Sequence, residues 1–303
     1  MVPTIMKQGR IAPFLYLLPA MAVITIFIVY PMIETVRLSF TNRYGTGTAA
    51  SSCLPGNPCW GIFENYRYAL TNPEMLTALR NNALWLLLMV PVTVALGLVV
   101  AILADRVRYE SLAKAVIFMP MAISFIGAGI IWRFMYNIES GGGAQTGLLN
   151  AILVGLGLQP VAWLSNPAVN NLALMAVGTW LWAGFCMTIL SAAIKGLSVE
   201  IIEAAHVDGA NGWQTFRNIT VPMIWPTILV VTTTMVINIL KIFDIVFVMT
   251  GGNFGTEVIA NRMFKLIVTD LGRSTAIAVL LVVLTIPVMY YNMRRFREEE
   301  AMR

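Results

Sequence analysis

Six apolar stretches, each long enough to cross a bilayer, constrain this chain more than any other feature. They run roughly Ala12–Ile33, Ala83–Ala104, Ala115–Tyr136, Leu172–Ile194, Met223–Met249 and Thr275–Asn292. A spanning helix needs about 20 mostly apolar residues, and each stretch qualifies. Composition agrees: 58% of the 303 residues are hydrophobic and 12% are charged. The mean hydropathy is +0.77. A soluble domain of this size needs far more charge to cover its surface. The first stretch is too long for a secretory signal and lacks a small-residue cleavage site, so it reads as a retained span. No linker, low-complexity tract or repeat divides the chain. Residues 1–303 therefore read as one all-α membrane domain of six transmembrane helices.

Orientation follows from Lys and Arg. With the N-terminus inside, the inner segments hold Lys7, Arg10, Arg106, Arg108, Lys114, Lys195, Arg217, Arg294, Arg295, Arg297 and Arg303. The outer loops, although longer, hold Arg37, Arg43, Arg67, Arg80, Arg262, Lys265 and Arg273. Eleven against seven places both termini in the cytoplasm. Anchoring at the inner face accounts for the net charge of +5, so no nucleic-acid partner is called for. The first outer loop, residues 34–82, is the longest connection. Its second half reads as two short helical pieces broken at Pro73. In its first half Cys53 and Cys59 flank Leu-Pro-Gly-Asn-Pro on the oxidising side, as candidates for a disulfide. Cys186 lies in a span and reads as a small apolar packer. The apolar run from Gly147 to Gly157 is too short to span. It is expected to lie along the outer interface or on the bundle.

The inner connection at 195–222 differs from the others. Ser198 is placed to cap a short helix that buries Ile201, Ile202 and Ala205 on one side. Gly209 can take the left-handed geometry that ends it. A second helix from Trp213 to Ile219 should stop before Pro222. The result is a helix–turn–helix elbow, with small Ala204 and Ala205 allowing close approach of another protein.

Polar residues inside spans are costly and face a cavity or a partner. In the fifth span Asn238, Lys241 and Asp244 recur every three residues, near one helix face. They read either as lining for a polar pathway or as an internal ion pair that locks packing. Trp180 and Trp182 are candidates for stacking on a ring-shaped ligand, with packing as the plainer reading. Arg133 is expected to snorkel outward. His206, the single histidine, belongs to the elbow surface. With one histidine and three cysteines a metal site has poor support. There is no Gly-rich loop ending in Gly-Lys-Ser/Thr, so the chain cannot hydrolyse ATP itself. No His-Glu-x-x-His or Gly-x-Ser-x-Gly supports a membrane-embedded enzyme. The paired inverted repeats of an ion-coupled secondary transporter are also missing. Neither alternative needs Glu203-Ala-Ala…Gly209 between spans four and five.

Those residues carry a resemblance. Glu203-Ala204-Ala205, Asp208-Gly209-Ala210, Phe216, Ile219 and Pro222 resemble the EAA signature of ABC-importer permeases. Leu18-Pro19, Tyr30-Pro31, Asn65-Tyr66, Asn72-Pro73, Trp163 to Pro167, Thr179-Trp180 and Phe243-Asp244 through Gly252 extend it. The pattern is similar to the carbohydrate-uptake permeases of the maltose/trehalose/glycerol-phosphate type. Asn253 departs from it, standing where that family often has Pro, so the loop there should bend differently. The large extra outer domain of some maltose permeases is absent. The resemblance implies a type I importer permease fold in the bacterial inner membrane, forming half of a pathway for a di- or oligosaccharide. It implies a second permease subunit, two ATPase subunits and an extracytoplasmic binding protein or lipoprotein. It places ATP and Mg on the ATPases, leaving no cofactor on this chain. Glu203, Ala204, Ala205, Asp208 and Gly209 would couple to the ATPase, and the stretch from Asn238 to Asp244 would lie beside the sugar.

Overall fold

A computed structural model describes residues 12–54, 59–139 and 144–301. Lys7, Arg10 and Arg303 of the charge balance lie outside the described residues, as do Pro55, Gly56, Asn57 and Pro58 of the first-loop turn. Among the described residues the chain is almost entirely helical, with one antiparallel bridge between Thr41 and Thr48. Four helices meet the length and hydropathy of a span: α1 (Tyr16–Leu38), α3 (Pro73–Ala104), α7 (Asn170–Lys195) and the Leu271–Tyr291 part of α13. Two bent pairs complete the six. Glu110–Ala122 (α4) and Phe125–Met135 (α5) meet at 98°, and Gly212–Met223 (α9) and Trp225–Leu240 (α10) at 68°. Shorter helices lie between them: α2 (Glu64–Thr71), α6 (Leu148–Gly155), α8 (Val199–Val207), α11 (Asp244–Met249) and α12 (Ile259–Leu266). The last helix, α13, runs Leu271–Ala301.

The described residues group into two compact units. One comprises the chain up to Leu70 with Lys265–Leu280. The apolar length of α1 is unburied, so its surface is available to lipid or to another chain. Beyond α1, Asn65 fixes the start of the loop by donating to the carbonyls of Ser39 (2.9 Å) and Thr41 (2.7 Å). Phe40, Phe63 and Tyr66 pack as an aromatic cluster. Glu64, 4% exposed, accepts from the Arg67 guanidinium and from the Trp60 backbone N–H. Cys53 and Cys59 are joined as a disulfide with a Cα–Cα distance of 5.8 Å.

The second unit runs Thr71–Phe264 and resumes at Leu281. Its core forms where α3 crosses α7. Trp85, Met89, Leu174, Leu181, Met187 and Leu190 are fully buried there. The two backbones approach closely at Gly97, where an added Cβ would sit 2.4 Å from the Cys186 Cβ. Membrane helices gain little hydrophobic drive from packing on each other, so such small-residue contacts carry the association. Thr93 adds a hydrogen bond across the crossing, to the Thr179 hydroxyl at 3.1 Å. The expected second helical piece of the first loop is the opening of α3 itself. Asn72 caps it by accepting from Glu74 and Met75, Pro73 sits at its first position, and the helix runs on into the span.

Three helices contain a wide turn just ahead of a proline. π-helical segments at Thr25–Val29, Trp85–Met89 and Phe216–Thr220 each end two residues before Pro31, Pro91 and Pro222. The Tyr30 N–H reaches back five residues to the Thr25 carbonyl, and the Val221 N–H likewise to Phe216. A proline lacks an N–H and its ring crowds the carbonyl four residues back. Widening the preceding turn moves that carbonyl aside. This is why the helix expected to stop before Pro222 continues to Met223.

Candidate functional site

The elbow is built by local rules. Ser198 occupies the cap position of α8 with extended backbone, but its hydroxyl serves the Glu200 carboxylate instead of the helix. That hydroxyl bond, and then the Glu200 backbone N–H, hold the Glu200 carboxyl below its ordinary pKa against a small desolvation effect. The far end of α8 closes in a Schellman turn. Gly209 takes φ +82°, its N–H donates to the His206 carbonyl (3.1 Å), and the Ala210 N–H donates to Ala205 (2.9 Å). The next helix opens with a capping box in which Asn211 and Gln214 satisfy each other's backbone N–H groups. Ala205 is buried and Ile202 half-buried, while Ile201 is exposed. Glu203, Ala204, His206 and Asp208 face solvent, and Trp213 stands 66% exposed. Among the described residues the Glu203 carboxylate makes no hydrogen bond or ion pair.

The residues proposed from sequence as a pathway are distributed differently. Asn238, Lys241 and Asp244 do not share one helix. α10 ends at Leu240, Lys241 is its C-cap, and Asp244 opens α11 after Phe243 at φ −140° and ψ −61°. The cause is tertiary. Asn82, 2% exposed, donates to the Leu240 carbonyl (3.2 Å), which the helix end leaves unsatisfied, and at 3.4 Å to that of Ile239, which also accepts from the Ile242 N–H. The same side chain accepts from the Ile259 N–H at 3.0 Å, at the first turn of α12. Lys241 is exposed, and it forms no ion pair with Asp244. Asn238 turns back on its own helix, donating to the Thr234 carbonyl at 2.8 Å. Beside the break Phe243, Phe247 and Phe264 pack with ring centroids 5.0–5.3 Å apart, and the latter two remain exposed.

Trp180 packs edge-on to Trp132, and Trp182 stacks on Phe125 and meets Phe185 edge-on. Trp180 lines a cavity of about 650 Å³ with Leu88, Met89, Leu96, Pro120 and Thr179. That lining is too apolar to satisfy a sugar's hydroxyls. Arg133 is exposed and donates to the Val248 carbonyl at 3.5 Å.

Sequence reasoning missed how residues 250–258 are held. Asn81 donates to the carbonyls of Gly255 (2.7 Å) and Glu257 (2.8 Å), and Asn170 to that of Phe254 (2.8 Å). Asn253 donates to the Thr250 carbonyl at 2.9 Å, closing the turn with a bond that proline has no donor to make. The available signal was the density of buried Asn: Asn81, Asn82, Asn150, Asn170 and Asn261 are all at most 3% exposed.

Six apolar spans, with a short helix–turn–helix inserted between the fourth and the fifth, define the membrane component of an import system. The chain belongs to the family of binding-protein-dependent transport system inner membrane components, whose profile matches residues 93–294. It is 50% identical to the osmoprotective compounds uptake permease protein GgtC of Synechocystis sp., over 95% of this chain and 100% of that one. It is 44% identical to the alpha-glucoside transport system permease protein AglF of Rhizobium meliloti, over 96% of this chain and 84% of that one. Its fold matches a chain of a bacterial ABC transporter that imports the acidic polysaccharide alginate, with a TM-score of 0.78 at 22% identity. That match covers 94% of this chain and 95% of the other.

Proposed function

We propose that this chain forms half of the translocation pathway of an ATP-driven importer for a di- or oligosaccharide of the α-glucoside class. The elbow carries this reading: an exposed, unpartnered carboxylate at Glu203 on a short helix fixed by its own turn at Gly209. Such a projection suits insertion into a cleft of a separate ATPase subunit, where a basic group would meet Glu203. The elbow and both termini then lie in the cytoplasm, in keeping with the Lys and Arg balance. Two ATPases, which hold ATP and Mg, sit beneath this chain and a second, different permease. An extracytoplasmic binding protein delivers the sugar. The name of AglF supports an α-glucoside cargo, and that of GgtC a small compatible solute taken up from outside. Lys241 and Asp244, with Phe247 and Phe264 exposed close by in the fold, supply polar groups and ring faces for sugar hydroxyls and sugar rings.

The test is reconstitution with the ATPases, second permease and binding protein, comparing the intact chain with Glu203→Lys. The reversal should abolish ATPase association or maltose- and trehalose-stimulated hydrolysis while the six-span fold is retained. Unchanged assembly and stimulation would remove the elbow from the mechanism.

A further inference from the structure

Four charges and a hydroxyl meet where α7 gives way to the elbow. The Lys114 ammonium lies 2.5–2.6 Å from Asp105 Oδ1, Glu110 Oε1 and Ser191 Oγ. An ammonium has three protons, so these three acceptors saturate it. Ser191, 2% exposed, accepts from Lys114 and donates its own proton to Asp105 Oδ1 at 2.8 Å. Glu110 also receives Lys195, the last residue of α7. The two carboxylates and two ammoniums balance.

The participants come from three helices. Asp105 is the C-cap of α3, Glu110 and Lys114 lie on α4, and Ser191 and Lys195 lie on α7. Exposed ion pairs hold little together. Here the Lys114 and Asp105 side chains are only 21% and 15% exposed, and Asp105 Oδ2 is buried with no partner. Removing Lys114 would leave Asp105 shielded and uncompensated, which is far costlier than losing a surface pair. The neighbouring cations of the α3–α4 turn, Arg106 and Arg108, are exposed and form no ion pair with these carboxylates among the described residues. The elbow helix α8 begins four residues after Lys195. Packed, hydrogen-bonded bases of this kind move as units instead of deforming by degrees.

We propose that Lys114 is a positioning residue for coupling: with Asp105, Ser191, Glu110 and Lys195 it welds the α3–α4 turn and the end of α7 into one rigid base. A displacement of the elbow then moves spans two, three and four together. This rests on the elbow being the coupling device.

The experiment uses the full assembly in lipid nanodiscs, with spin labels on cysteines introduced at Arg108 and Glu200. Within this chain Cys186 is buried and Cys53 is bonded to Cys59, so with partner subunits made free of cysteine the introduced thiols label selectively. In the parent and in Lys114→Arg, the label distance should be the same with and without ATP. In Lys114→Met it should shift and broaden on adding ATP. Stimulation of hydrolysis by the maltose-loaded binding protein should fall about tenfold, within the usual range of site-to-site coupling, while basal hydrolysis is kept. An ATP-independent distance together with full stimulation in Lys114→Met overturns the proposal. If Lys114→Met does not assemble, Lys195→Met, which cuts one half-exposed arm, decides by the same two readouts. ATPase association and maltose-stimulated hydrolysis that both survive Glu203→Lys sink the coupling reading instead, whatever the labels report.

Discussion

Residues 250–258 and the elbow both connect helices, but they are held by opposite means. The first is clamped from a distance. Asn81, Asn82 and Asn170, all buried, spend their amide groups on its backbone or on the helix ends beside it. The clamp is strong enough to keep Phe254, 55% exposed, at φ +56°, a left-handed conformation that costs a non-glycine residue about 1–2 kcal/mol. The elbow instead depends on its own sequence: a Schellman turn, a capping box and one buried alanine. A connection clamped by the fold has its shape decided before any partner arrives. A self-capped one keeps its shape while leaving its outer face free to dock.

Breaking the clamp should have the largest effect. Asn82→Leu strands the Ile259 N–H and the Leu240 carbonyl at a site 2% exposed. A loss of about 3 kcal/mol is expected, from roughly 1–3 kcal/mol per buried unsatisfied group after partial relaxation. Thermal unfolding of the purified chain reads it, and ATPase association of the folded fraction should be untouched. Gly209→Ala sharpens the other side of the comparison. No atom lies within 4 Å of the added Cβ, so the left-handed backbone alone is penalised. About 1 kcal/mol follows, read as roughly fivefold weaker ATPase binding in a titration. An unchanged affinity would mean that the turn does not set the elbow's docking shape.

The smallest effect concerns pH and the first outer loop. The Arg67 side chain, more than the Trp60 N–H, holds the Glu64 carboxyl below its ordinary pKa, although burial pushes the other way. A depressed folded pKa gives stability that is present above the unfolded value, about 4.3, and lost as pH falls through the folded one. The hydrogen-exchange protection of α2, taken relative to the intrinsic amide rate at each pH, should therefore be flat from pH 7 to 5 and fall below about pH 4. Glu64→Gln should remove the dependence, and an unchanged profile in that variant would exclude Glu64 as its source.

The spans and the elbow were legible because their signals are local. Apolar runs placed the six crossings, and Gly209 placed the turn that closes α8. What was not legible depends on residues far apart in sequence. The end of α10 at Leu240 is set by Asn82, 158 residues earlier. With no breaker between Asn238 and Asp244, a periodicity of three had no reason to fail there. The grouping of Asp105, Lys114 and Ser191 depends on the α3–α7 crossing, so Lys114 read as one more inner-face cation. Ser198 misled in a different way. It sits where a cap belongs, but Glu200 two residues on competes for its hydroxyl.

The wide turns before Pro31, Pro91 and Pro222 add one residue of slack to each helix. A deletion of one residue within Trp85–Met89 would rewind α3 to ordinary pitch and drive the ring of Pro91 into the carbonyl four residues back. An insertion in α3 ahead of Gly97 would turn every later side chain by about 100°, carrying Gly97 away from Cys186. The seating of Gly97 on Cys186 thus depends on the one extra residue in the turn before Pro91.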